Sequence, residues 1–200
     1  MKQLSMAAAC AACLAFAAPA WANDVAQITQ TGSANTASIE QTASRGLNTA
    51  AVRQGDEWHD STENQARVTQ HDVDNAFVDL YQSGFNNSYT VFQHEGGDLR
   101  VNINTDSANF GGIGESNSVT VDQSGIEMRA WVEQGGSMLS RADIVQSGWG
   151  NAASIVQSGV GNQASIFQAS AGVSAMIIQG SNGFSSGFGA GNTATIRQGY

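Results

Sequence analysis

Three histidines stand among carboxylates in this 200-residue chain. His59 lies between Asp56, Glu57, Asp60 and Glu63, His71 precedes Asp72 and Asp74, and His94 precedes Glu95 and Asp98. Imidazole beside carboxylate is divalent-cation chemistry, and imidazole is the side chain whose ordinary pKa lies near neutrality. No run has a ligand spacing diagnostic of a metal. Solvated acidic loops are therefore the expectation, with at most a weak effect of metal or pH on association through His71 and His94. No nucleophile with its base, no phosphate-cradling loop and no paired carboxylates can be assembled from acids that fall in turns or on an outward face. The sequence predicts no enzyme, no cofactor and no metal.

A second set of side chains is far more regular. Thirteen glutamines close one short phrase, Asn-x-Ala-x-(Ile/Val)-x-Gln, which recurs from Asp24 to Gln198. It runs from Asn35 to Gln41, Asn48 to Gln54, Asn151 to Gln157, Asn162 to Gln168 and Asn192 to Gln198, and Gln30, Gln146 and Gln179 close further copies. A primary amide both donates and accepts, so a column of amides hydrogen-bonds to copies of itself. Gln30, Asn35, Gln41, Gln54, Gln146, Asn151, Gln157, Asn162, Gln168, Gln179, Asn192 and Gln198 are the candidate ladder and assembly residues.

The elements that position them follow from the spacing. Asn35, Ala37, Ile39 and Gln41 are two residues apart and share one face of a strand, while Thr36, Ser38 and Glu40 share the other. Fourteen such strands can be counted, ending at Gln30, Gln41, Gln54, Gln70, Gln82, Gln93, Thr105, Gln123, Gln134, Gln146, Gln157, Gln168, Gln179 and Gln198. Glycines in Thr31-Gly32-Ser33-Ala34, Ser147-Gly148-Trp149-Gly150 and Ser158-Gly159-Val160-Gly161 suit a tight reversal. Two strands and a turn make one flat β-arch, giving seven rungs near 24–41, 48–70, 76–93, 99–123, 128–146, 151–168 and 173–198. Burying one Ile or Val contributes roughly 1.5 to 3 kcal/mol, and ordering each backbone residue costs about 1 to 2 kcal/mol, so a lone rung is unstable and stacking is compulsory. The expected fold is all-β: a β-solenoid of about seven stacked two-strand rungs, cross-β when assembled. Gln and Asn ladders and a dry Ile/Ala zipper would run along the stack. Longer connections at 55–63, 106–116 and 180–191 are expected to bulge from the arch edge.

Residues 1–22 have the form of a signal peptide, with Lys2, an apolar run from Leu4 to Ala18 and the small-residue site Pro19-Ala20-Trp21-Ala22. The run is shorter than the roughly 20 residues of a membrane helix, and no good lipobox precedes Cys10 or Cys13, so no lipid anchor is expected. Both cysteines, the one proline and the one lysine fall in this segment. Residues 23–200, the repeat domain, therefore carry no thiol for a disulfide and no proline to interrupt a ladder. Their 17 acids against 7 arginines, a net charge of −10, argue against nucleic acid or an anionic membrane as partner.

The first strand begins just after the expected cleavage site and the last stops two residues before Tyr200, so no polar cap of the kind that keeps repeat proteins monomeric is expected. Each edge would then template a further copy, and head-to-tail addition gives an open filament. Between Asp56 and Asp143 lie 15 acids and 4 arginines, whereas Arg197 is the only charged side chain from Ile144 to Tyr200. The neutral C-terminal rungs are expected to be the assembly-prone part, with charge and glycine in the middle acting as gatekeepers.

The fuller phrase Gln-x-Gly-x-x-Asn-x-Ala-x-x-x-Gln, at Gln30 to Gln41, Gln146 to Gln157 and Gln157 to Gln168, resembles the curlin repeat of bacterial curli fibres. Degenerate copies extend the likeness over essentially the whole of 23–200. The resemblance implies a functional amyloid secreted through an outer-membrane curli export pore with periplasmic chaperones. It also implies polymerisation with itself and another curlin subunit into a cell-surface fimbrium that serves biofilm matrix, adhesion and cell aggregation. Two features depart from the family: Asn23 runs straight into the first strand, where the major subunit has a Gly/Asn-rich leader, and there are seven rungs rather than five. The regular final repeat resembles the major subunit, the reading adopted here, and the short leader resembles the nucleator, its alternative. A third class is a non-polymerising secreted β-solenoid that binds ice or carbohydrate. Ice binding calls for flat Thr-x-Thr ranks, but outward residues vary from Ser38 and Glu40 to Arg53 and Phe167. Carbohydrate binding calls for aligned aromatics, and Trp58, Trp131 and Trp149 are expected in a loop, a strand and a turn.

Overall fold

Strands form where the phrase recurs. The computed structural model describes residues 14–17, 24–43, 46–55, 61–105, 115–180 and 191–199. After β1 (Leu14–Ala17), β2 (Val25–Gln30) and β3 (Thr36–Thr42) make the first rung. The second is β4 (Thr49–Gln54), a short β5 (Ser61–Thr62) and β6 (Gln65–Asp74), and the third β7 (Phe77–Gln82), a short β8 (Gly84–Phe85) and β9 (Ser88–Gly97). The fourth is β10 (Arg100–Asn104) with β11 (Ser118–Ile126), and the fifth β12 (Arg129–Glu133), a short β13 (Ser137–Met138) and β14 (Arg141–Trp149). β15 (Ala152–Gln157), a short β16 (Gly159–Val160) and β17 (Gln163–Gln168) make the sixth, and β18 (Ser174–Gln179) with β19 (Thr193–Gln198) the seventh.

The opening strand of each rung joins a seven-stranded sheet ordered β2-β4-β7-β10-β12-β15-β18, and the closing strand an eight-stranded sheet ordered β1-β3-β6-β9-β11-β14-β17-β19. Pairing is parallel throughout and joins like positions of the phrase: Ala37 to Ala66, Ile39 to Val68 and Gln41 to Gln70 on one sheet, Ala153 to Ala175, Ile155 to Ile177 and Gln157 to Gln179 on the other. The chain is thus an all-β solenoid of seven stacked two-strand rungs, with the rung boundaries expected from the repeat.

Because side chains alternate across a strand, the Ala and Ile/Val positions of both sheets meet between them. Ala37, Ile39, Val52, Val68, Leu80, Val91, Ile103, Val121, Ile144, Ile155 and Ile166 are all at most 4% exposed and form one core along the stack. This is the dry zipper the repeat requires.

Three features go beyond the phrase. First, β6, β9, β11 and β14 run nine or ten residues, past the closing glutamine and into the arch. There Val73, Ala76, Leu99 and Met128 form a second buried cluster. Second, the residue entering a strand is left-handed. Ala34, Glu63, Asn86, Ser116 and Leu139 (φ 51° to 56°) open the eight-stranded side, and Asn75, Asp98 and Glu127 (φ 52° to 57°) the other. Glycine fills that place only at Gly150, Gly161, Gly172 and Gly191, where it avoids the roughly 1 to 2 kcal/mol that a Cβ costs in this conformation. Third, β1 lies within the expected signal peptide and pairs in parallel with β3, Leu14 opposite Ser38 and Ala17 opposite Gln41. In the 200-residue chain that edge is thus partly covered, whereas the expectation of two open edges concerned residues 23–200 alone.

Candidate functional site

The glutamines build two ladders. On the eight-stranded sheet each Nε2 donates to the Oε1 of the next rung without a break: Gln41 to Gln70 at 2.7 Å, Gln70 to Gln93 at 2.8 Å, Gln93 to Gln123 at 3.0 Å, Gln123 to Gln146 at 2.8 Å, Gln146 to Gln168 at 2.7 Å and Gln168 to Gln198 at 2.8 Å. On the seven-stranded sheet Gln30 donates to Gln54 (2.7 Å), Gln54 to Gln82 (2.8 Å), Gln134 to Gln157 (2.8 Å) and Gln157 to Gln179 (2.9 Å). A further amide bond crosses to the facing sheet, from Gln54 to Thr36 O, Gln82 to Gln65 O, Gln157 to Arg141 O and Gln179 to Gln163 O, at 2.9 to 3.2 Å. Gln54, Gln82, Gln157 and Gln179 therefore tie rung to rung and sheet to sheet. Gln70, Gln82, Gln93 and Gln123, outside the candidate set, bond both along the stack and across it, and Gln134 along it to Gln157; their place at strand ends was the signal that marks them.

Both ladders have a direction, since every amide donates toward the C-terminal rung. At the first rung Gln30 Oε1 and Gln41 Oε1 accept no hydrogen bond among the described residues. At the last, among the described residues, Gln179 and Gln198 donate only across the arch, to Gln163 O (3.0 Å) and Ser174 O (3.2 Å), which leaves one amide proton of each without an acceptor there. One end of the stack presents acceptors and the other donors.

The asparagines work differently from the side-chain ladder expected of them. Asn35 Oδ1 accepts the backbone N–H of Asn64, Asn64 Oδ1 that of Asn87, Asn87 Oδ1 that of Asn117, and Asn162 Oδ1 that of Asn192. The Nδ2 groups donate into turn carbonyls, Asn35 to Ser61 O, Asn151 to Ser170 O and Asn162 to Ser158 O. Most of these bonds therefore go to backbone rather than to the neighbouring side-chain amide. Asn192 Nδ2 also reaches Asn162 Oδ1 at 3.1 Å. On the seven-stranded side Asn48 and Asn151 hold this place, but Ala76, Leu99 and Met128 replace it in the middle rungs, where the second apolar cluster sits.

Thr105 interrupts the seven-stranded ladder. Its Oγ1 donates to Tyr81 O at 3.1 Å, and Gln134 Oε1 is left buried without a partner. On the facing sheet Tyr89 replaces the alanine of the phrase, in register with Ala66 and Val119. Its ring is 1% exposed and its hydroxyl lies toward Thr105 without a hydrogen bond of good geometry. Burial pushes the Tyr89 hydroxyl above its ordinary pKa, with the Thr105 side chain opposing.

His71 and His94 are register partners on β6 and β9. His71 contacts Thr42 Oγ1 (2.8 Å) and Asp72 (3.3 Å), while His94 contacts Asp122 Oδ1 (3.1 Å) and stacks on Phe92 at 4.6 Å. Among the described residues no group of three or more His, Cys, Asp or Glu is set to hold a metal ion. His59 with Asp56, Glu57 and Asp60, and Trp58, lie outside the described residues. Trp149 does not sit in a turn. It closes β14 opposite Ile126 and bridges to Ala171, because the strand continues past Gln146. The arrangement as a whole offers paired amides, backbone edges and apolar columns, whose chemistry is association with the same pattern elsewhere. No known family model matches the chain, and no curated protein matches it.

Proposed function

We propose that the chain is a secreted structural subunit that adds head-to-tail to copies of itself, forming extracellular curli-like amyloid fibres for biofilm matrix, adhesion and cell aggregation. The match between first and last rungs carries the proposal. Set β18 of one copy on β2 of the next and β19 on β3, in the register used inside the chain, and Ala175 meets Ala26, Ile177 meets Ile28, Ala194 meets Ala37 and Ile196 meets Ile39. Gln179 and Gln198, each with an amide proton that has no acceptor among the described residues, then face the open acceptors of Gln30 and Gln41. Outside, Arg197 meets Glu40, which already has Arg67 at 3.9 Å on its other side. Opposite charges directly across a ladder favour one register and disfavour others.

β1 covers Ser38–Gln41 of that same edge. In this proposal it leaves with residues 1–22, and the edge is bared only on export. Thioflavin T kinetics on 23–200, with fibre diffraction near 4.7 and 10 Å as the cross-β signature, is the test. Seeds of 23–200 should abolish its lag, Arg197→Glu should slow growth, and Glu40→Arg combined with Arg197→Glu should restore it. Growth that only a different subunit sustains would make the chain the nucleator instead, and a soluble, non-seedable β-rich monomer would refute the proposal.

A further inference from the structure

The outer face of the seven-stranded sheet carries a groove that the stacking of rungs does not use. Register places Phe77, Arg100, Arg129, Ala152 and Ser174 in one row along the stack and Asp79, Asn102, Trp131, Ser154 and Met176 in the next. Between the projecting Phe77, Trp131 and Met176, above small side chains at Ala152 and Ser154, lies a largely apolar groove of about 560 Å³. It crosses five strands, about 19 Å at the usual strand spacing.

Arg100 and Arg129 stand directly opposite each other across β10 and β12. Like charges in that position destabilise a sheet, and the chain is strongly acidic. No carboxylate closes an ion pair with either guanidinium among the described residues, although Asp98 and Glu127 line the polar recess just beyond them. Trp131 is 45% exposed beside this pair. Asp79 and Glu133 lie on the same outward face, one strand or one row removed. A guanidinium pair for an anion, an aromatic face for a ring, and carboxylates to accept hydroxyl protons select a ligand that is anionic, ring-shaped and rich in hydroxyls.

We propose that this groove binds an acidic oligosaccharide, one ring stacked on Trp131 and its carboxylate held between Arg100 and Arg129. The site is complete within one chain and independent of fibre assembly, so either idea can fail without the other. The test is titration of the full chain with oligogalacturonate and with its methyl ester, which keeps the shape and loses the charge. The acid should bind and quench Trp131 fluorescence, a change missing in Trp131→Phe, and the ester should bind about tenfold or more weakly. Arg100→Gln with Arg129→Gln should lose about tenfold or more in affinity, while Arg67→Gln with Arg141→Gln, which removes equal charge from the other sheet, should bind like the parent.

Equal binding of acid and ester, equal loss in both arginine variants, or no binding of the acid overturns the proposal. So does side-by-side association of chains that depends on Arg100 and Arg129 without saccharide. Should the Gln variant lose its β-sheet circular dichroism, the Trp131→Phe difference and the ester comparison in the unaltered chain still decide it.

Discussion

Tyr89 and Thr105 behave as a single substitution made at two places. The phrase asks for Ala at 89 and Gln at 105. The register brings the end of each seven-stranded strand beside the start of an eight-stranded strand one rung earlier, as Gln82 reaches Gln65 O and Gln157 reaches Arg141 O. Thr105 accordingly abuts Tyr89, whose phenol fills the volume a glutamine would take. Tyr89→Ala alone opens a cavity, which for a buried aromatic costs about 3 to 5 kcal/mol, partly offset by losing an unpartnered buried hydroxyl. Thr105→Gln alone drives an amide into the ring and should cost about 1 to 3 kcal/mol by overpacking. Together they rebuild the ladder. The new glutamine accepts from Gln82 and donates to Gln134 Oε1, whose unpaired burial costs about 1 to 3 kcal/mol at present. The double variant should therefore be more stable than the sum of the singles by at least about 2 kcal/mol. Guanidinium unfolding followed by β-sheet circular dichroism, at concentrations below self-association, measures the four corners of the cycle. Additivity within about 0.5 kcal/mol would refute the claim that the ring stands in for the amide.

Further outcomes follow from the same geometry. Tyr89→Phe should match or exceed the parent by up to about 1 kcal/mol at neutral pH, since it removes an unpartnered buried hydroxyl. Because the folded pKa of Tyr89 is raised, its neutral form favours the fold fully below about pH 10, the unfolded value, and that contribution is lost as pH rises above it. The parent should thus lose stability relative to Tyr89→Phe above about pH 10, and parallel pH profiles would contradict the burial. Leu139→Gly, at an exposed left-handed residue, should raise the denaturation midpoint by relieving up to about 1 kcal/mol of strain; a lowered midpoint would show that φ is not what limits that turn. A peptide covering Ile144 to Gln179 should form fibrils with a shorter lag than one covering Asp56 to Gln93, and equal lag times would defeat the assignment of the C-terminal rungs as the assembly-prone part.

Fourteen strands and seven rungs were legible because a period of two inside the phrase and a near-constant interval between phrases leave one way to bury Ala and Ile/Val on both strands of an arch. Two physical matters were not legible. The sequence places Asn beside Gln in the same column logic, but their roles differ: Gln41 bonds to the amide of Gln70, while Asn35 bonds to the backbone N–H of Asn64 and to the carbonyl and hydroxyl of Ser61. The arches were hidden as well, because conformation there is set by residues of no common type. Glycine at 150, 161, 172 and 191 and, more weakly, Asn75, Asn86 and Asp98 suit a positive φ, but nothing in the chemistry of Glu63, Ser116, Glu127 or Leu139 announces theirs.

Most departures from the phrase also fall in one part of the stack, Asp24 and Val173 in the end rungs excepted. The broken ladder at Thr105, the unpaired Gln134 Oε1, the phenol at Tyr89, the apolar replacements at Ala76, Leu99 and Met128, and the non-glycine left-handed residues from Glu63 to Leu139 all lie between the second and fifth rungs. The same rungs carry 15 of the 17 acids. Each departure weakens the match of a middle rung to any rung but its own neighbours, because Tyr89 needs Thr105 below the same stretch of facing sheet and Met128 needs Leu99. A slipped register that set the third rung on the sixth would oppose Tyr89 to Ala164, away from the Thr105 it packs against. The end rungs keep the Ala, Ile and Gln positions of the phrase, with Asp24 and Val173 in the place of the opening Asn on one strand of each, and accept one another without such a penalty. Irregularity in the middle thus directs association to the ends, and for that reason repairing the Tyr89–Thr105 pair should stabilise the chain yet increase out-of-register association, seen as fibre mass that homologous seeds no longer accelerate.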